Sequence, residues 1–138
     1  MEFIYNYENN TREYVKYSFN IKSNGDVYYT YYINRHNKKI CSVLEECKPK
    51  VKLLCKLTDK TMQNLIITAK QIKQTPYLVN NGRAFDAGSG NFYFIREKNG
   101  EKILLHSDGD HQLQSTDQKV IYIVNLIKRI IRVVMSLK

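Results

Sequence analysis

Hydrophobic periodicity in this 138-residue chain predicts an α+β domain: an antiparallel sheet with two helices packed on one face, in the order β-β-β-α-β-β-α. Three observations predict it. Residues 19–33, FNIKSNGDVYYTYYI, alternate on both sides of a Ser-Asn-Gly-Asp turn, and Asn-Gly tolerates the positive φ of a tight hairpin. Residues 92–96 and 102–106 flank a second such turn, Glu97-Lys98-Asn99-Gly100-Glu101. Two further segments repeat their apolar residues at helical spacing.

The elements follow in chain order. Residues 1–12 are expected to be a loosely attached N-terminal segment of a single compact domain spanning 1–138, a length that buries its own core without staples. In residues 14–22, Val15, Tyr17, Phe19 and Ile21 point one way and Lys16, Ser18 and Asn20 the other. The return strand puts Val27, Tyr29, Tyr31 and Ile33 on one face and Tyr28, Thr30 and Tyr32 on the other, so one aromatic face is left over after the core is filled. Residues 34–39 are a polar stretch in which His36 is solvated, and 40–44 leave a short strand undecided. After Pro49, Val51, Leu53, Cys55 and Leu57 alternate with Lys52 and Lys56, which predicts a strand with a basic outer face.

The first helix is expected to take Thr58 or Asp59 as its cap. Its buried stripe is Met62, Leu65, Ile66, Ala69 and Ile72, and it stops before Pro76 because Thr75 is pushed out of helical φ/ψ. Residues 77–91, with Asn81-Gly82 and Gly88-Ser89-Gly90, read as loop. The second helix opens on a Ser115–Gln118 capping box and runs to about Leu137. Its polar sector holds Gln118, Tyr122, Asn125, Lys128, Arg129, Arg132 and Ser136. The rest is apolar, the pattern of a core helix with a wet edge and not of one lying on a membrane.

The net charge of +9 is unevenly spread. Residues 32–73 hold ten Lys/Arg against Glu45, Glu46 and Asp59, and residues 119–138 add five cations and no acid. Such basicity attracts nucleic acid, anionic lipid or acidic protein without choosing among them. The N-terminus has neither the cationic nor the apolar region of a signal peptide, and no uncharged apolar run is long enough to span a membrane. Cys41, Cys47 and Cys55 form no C-x-x-C pair and read as reduced thiols. Together these point to the cytoplasm.

Residues 106–111, HSDGDH, are the one cluster with chemical potential, offering His106, Asp108, Asp110 and His111. The cluster has neither EF-hand nor H-E-x-x-H spacing, so a turn after a strand accounts for it. Asp108 and Asp110 would act as paired carboxylates only if a pocket raised one pKa. Gly88-x-Gly90 precedes a strand, whereas a dinucleotide fingerprint follows one. No catalytic residue, metal or cofactor is assigned. The expected interaction surface is Tyr28, Tyr32, Lys52 and Lys56 on the outer sheet face, with His106, Asp108, Asp110 and His111 in the loop.

The order of features resembles small bacterial domains of the emfourin type, which are protein inhibitors of metalloproteases. The resemblance rests on the strand pair turned at SNGD, the L-T-D-K-T helix opening at residues 57–61, the hairpin turned at KNGE, the HSDGD segment and the closing amphipathic helix. The glycine-rich opening common in that family is missing, and no inhibitory residue is carried over. The resemblance implies an α+β fold and a protein-binding role without a cofactor. The expected function is therefore a non-enzymatic protein-interaction domain of the inhibitor or immunity type. The alternative is a basic single-stranded nucleic-acid-binding domain with a Tyr/Lys sheet face.

Overall fold

The computed structural model describes residues 1–9, 15–33, 49–80, 82, 88–97 and 100–137, Tyr32 and Ile33 by their backbone alone. His36, residues 40–44, Cys41, Cys47 and the centre of the KNGE turn lie outside the described residues. The fold is α+β. Strands β1 (Glu2–Asn9), β2 (Val15–Ile21), β3 (Asp26–Ile33) and β4 (Lys50–Lys56) precede helix α1 (Asp59–Lys70). Strands β5 (Leu78–Asn80), β6 (Ser89–Ile95), β7 (Ile103–Gly109) and β8 (Leu113–Ser115) precede helix α2 (Gln118–Val134), which ends in a 3-10 turn, Met135–Leu137. All strands join one antiparallel sheet in the order β4-β3-β2-β1-β6-β7-β8-β5.

The expected strands and helices are present, with three strands added. The largest correction concerns the N-terminus. Residues 2–9 are not a loose segment but a central strand, paired to β2 on one side and β6 on the other. Phe3, Tyr5 and Tyr7 alternate with Ile4, Asn6 and Glu8, and Phe3 is fully buried. Strands β5 and β8, only three residues each, pair with one another inside segments that read as loop.

Both helices cover one face of the sheet. The core joins Phe3, Phe19, Ile21, Val27, Phe92, Phe94 and Leu105 of the strands to Met62, Leu65, Ala69 and Ile72 of the α1 segment. Helix α2 contributes Val120, Ile123, Val124, Ile127, Ile130, Ile131 and Val134. Each fully buried Leu, Ile or Phe is worth about 1.5–3 kcal/mol, so α2 is a principal source of stability. Arg129 and Arg132 lie on its exposed side. Among the described residues no helix is long and apolar enough to cross a membrane.

Caps show how the sequence stops and starts these helices. Thr58 caps α1, its hydroxyl accepting from the Thr61 N–H at 3.3 Å. The expected Ser115 cap of α2 is corrected to Asp117, whose carboxylate accepts from the Lys119 N–H at 2.9 Å. Ser115 is held in β8 by its pairing with Leu78, and its hydroxyl accepts from the Asp117 N–H at 3.1 Å. The serine thus shapes the turn into the helix, and the aspartate closes it.

Two bulges decide which side chains share a face. In β4 the register moves from Val27–Cys55 to Tyr28–Leu53, which leaves Leu54 as the extra residue. In β7 it moves from Phe92–His106 to Tyr93–Leu104, which leaves Leu105 extra. Side chains before and after each bulge therefore lie on opposite faces from those that strict alternation predicts.

A tyrosine face and a cationic hinge as candidate functional site

Cross-strand register arranges the helix-side face in three rows. The first, Ile103–Phe94–Phe3–Ile21–Val27–Cys55, lies in the core. The second is His106–Phe92–Tyr5–Phe19–Tyr29–Lys52, and the third is Asp108–Gly90–Tyr7–Tyr17–Tyr31–Lys50. Five half-buried tyrosines thus fill the end of this face beyond the fully buried row. Their rings touch across and along the strands: Tyr7 stacks on Tyr17 with centroids 5.0 Å apart, Tyr29 on Tyr31 at 5.2 Å, and Tyr5 tilts onto Phe92 at 4.6 Å.

The Gly88-Ser89-Gly90 cluster makes room for this. A side chain at Gly90 would meet the Tyr5 hydroxyl at 2.6 Å, and one at Gly88 would meet the Tyr7 hydroxyl at 2.7 Å. The glycines of the expected flexible loop are thus at the start of β6, where they accommodate tyrosine tips. Burial, with the neighbouring phenol Tyr17, pushes the Tyr5 hydroxyl well above the ordinary tyrosine range. Burial, with Tyr7 and Tyr29, also raises Tyr17. Both remain protonated donors at neutral pH.

The β7 end of these rows meets α2. His106 is buried, and its Nε2 lies 2.7 Å from Asp108 Oδ1. Lys128 Nζ lies 3.2 Å from Asp108 Oδ2, 3.5 Å from His106 Nε2 and 5.7 Å from the centre of the Phe92 ring. Burial alone would raise the Asp108 pKa. The hydrogen bond and charge of His106, then those of Lys128, outweigh it and hold the carboxyl below its ordinary value. Asp108 is therefore a fixed anion between the His106 ring nitrogen and the Lys128 ammonium. This corrects one expectation: His106 and Asp108 belong to strand β7 and not to a loop. The condition set for paired-carboxylate chemistry, a raised pKa, is not met at Asp108. Asp110 sits in the following turn, its N–H donating to the Gly88 carbonyl at 2.9 Å, and His111 is exposed.

This pair carries a pH prediction. A carboxyl whose folded pKa is depressed contributes stability above its ordinary value of about 3.9, and loses it as pH falls through the folded value. Asp108→Asn should lower stability at pH 7, and the difference from the parent should vanish in acid below that range. Because 37% of the Asp108 side chain is exposed, screening limits the effect to about 1 kcal/mol or less. Urea unfolding of both proteins across this pH range measures it.

The opposite face corrects the expected Tyr/Lys surface. Its rows include Tyr93–Ile4–Asn20–Tyr28–Leu53 and Asn91–Asn6–Ser18–Thr30–Val51. Lys56 shares this face through its pairing with Asp26, but the β4 bulge puts Lys52 on the tyrosine face. In its place Val51 and Leu53 stand beside Thr30 and Tyr28, 64% and 52% exposed. The backbone of Tyr32 pairs with that of Lys16. A shallow groove of about 380 Å³ crosses the polar middle of the sheet, lined by Asn6, Glu8, Lys16, Ser18, Ser89 and Asn91 among others. Among the described residues no three His, Cys, Asp or Glu side chains converge as a metal site. In comparisons with known proteins, no family model matches the chain and no curated protein is similar to it.

Proposed function

We propose that this chain is a non-enzymatic protein-interaction domain that receives an extended, acidic segment of another protein along β4. The observation that carries the reading is the exposure of Val51 and Leu53 beside Tyr28 at the last strand of the sheet. Among the described residues these apolar side chains are exposed on a terminal strand, where a further strand adds by main-chain hydrogen bonds and alternate side chains give specificity. The strand reads Lys-Val-Lys-Leu-Leu-Cys-Lys, with no acid. Its lysines repel a second copy of the same edge and attract a segment in which acidic and apolar residues alternate. Such a segment would face Lys50 and Lys52 with its acids, and Val51 and Leu53 with its apolar residues. The emfourin-like order of features points to the same class of role, and reduced cysteines make the cytoplasm the proposed setting.

The test is selection from a displayed library of random peptides, followed by titration of those enriched. Binding near the micromolar range corresponds to about 8 kcal/mol, in reach of a short strand that adds a few hydrogen bonds and buries two apolar side chains. Selected peptides should alternate apolar residues with Asp or Glu, and Leu53→Ser should weaken them at least tenfold. Peptides that bind the variant equally, or a chain that dimerises through β4 instead, would overturn the proposal.

A further inference from the structure

We propose that the tyrosine face on the helix side of the sheet is a second site, a platform for single-stranded nucleic acid that shares only Lys50 and Lys52 with the peptide-binding edge. Two rows run side by side across the sheet, with Tyr5 and Tyr29 half-exposed in one above the buried Phe19 and Phe92, and Tyr7, Tyr17 and Tyr31 half-exposed in the other; each row ends on β4 in a lysine, Tyr29 opposite Lys52 and Tyr31 opposite Lys50. At the other end Lys128 reaches down from α2 over Phe92. The cations thus bracket the aromatic floor. Five strand intervals separate β4 from β7, so the floor is about 24 Å across.

This is the chemistry that an unpaired strand needs. Bases stack on aromatic rings whatever their sequence, and lysines neutralise the phosphates between them. A duplex keeps its bases stacked inside and offers such a floor only its backbone. The rings are held by their neighbours, so little side-chain freedom is lost on binding. Asp108 is the one carboxylate in these two rows, and Lys128 pairs with it. The net charge of +9 raises the local concentration of any polyanion. Val51 and Leu53 play no part, because they occupy the other face of β4.

The probe is a fluorescent oligothymidylate about 12 nucleotides long, compared by anisotropy with a duplex of equal length at about 50 and 200 mM salt. Two phosphate contacts on a single strand, at Lys50 and Lys52, predict affinity about sevenfold weaker at the higher salt. Tyr31→Leu keeps an apolar side chain near the sheet edge and should weaken binding about tenfold at an unchanged salt slope. Joint Lys50→Glu and Lys52→Glu substitution should flatten the slope, and Leu53→Ser should leave binding as it was. That last variant separates this site from the peptide-binding one, since it weakens only the latter. Duplex bound as tightly as single strand, Tyr31→Leu without effect, or no binding at the lower salt would each overturn the proposal. Each of these outcomes would reduce the basic residues to general electrostatics.

Discussion

Phe94→Ala should lower the unfolding free energy by about 4 kcal/mol and the melting temperature by roughly 10–15 °C. Phe94 has no exposed surface and lies in the core row between Phe3 of β1 and Ile103 of β7. The Arg96 guanidinium stands 5.3 Å from its ring centre and donates to the Ile72 carbonyl just beyond α1. Truncation therefore opens a cavity at the junction of the central strands with the helix layer. The surrounding rings and helices are tied in register and collapse poorly into such a space. Urea unfolding measures the loss. A loss under about 1 kcal/mol would mean that β1, β6 and β7 do not share this core.

Gly109→Ala should cost about 3 kcal/mol, more than most single-methyl additions. Gly109 sits at the end of β7 with φ +99°, a conformation that costs a side-chain-bearing residue about 1–2 kcal/mol. Its added methyl would also run into the carbonyl of Gly88, a backbone atom that cannot rotate away. The same carbonyl accepts from the Asp110 N–H at 2.9 Å, so pushing it aside loosens the crossing of β6 and β7. The damage would extend to Asp108, one residue away. Thermal unfolding of the variant, with Gly82→Ala as a control in open space, separates the steric from the conformational part.

Much of the fold was legible because it follows from period and punctuation. The β2–β3 hairpin, the Thr58 cap and the apolar stripes of both helices depend on local spacing that tertiary packing left unaltered. Strand β1 was legible in principle, since Phe3, Tyr5 and Tyr7 alternate. Its acidic and amide residues make its other face look like a tail, and only pairing on both sides reveals a central strand. Strands β5 and β8 are too short to carry a period.

The site was half legible. The tyrosines were conspicuous and their shared face follows from alternation, but which charged residues join them depends on bulges. Leu54 and Leu105 are ordinary leucines in apolar runs, and nothing in their identity marks an inserted residue. Yet the first moves Lys52 to the tyrosine face, and the second brings His106 and Asp108 round to Lys128. The doublet Leu53-Leu54, which breaks the Lys/apolar alternation of β4, was the signal that could have located the first bulge. The role of Gly88 and Gly90 was hidden for a different reason: the tyrosines they accommodate lie some eighty positions earlier in the chain.

The most direct test of the proposed role is backbone amide hydrogen exchange of the chain, free and with a selected acidic–apolar peptide bound. An added strand predicts slowed exchange concentrated in Lys50–Lys56, with α1 and α2 unchanged. Protection spread over the helices, or a bound peptide that leaves β4 exchanging as before, would contradict it.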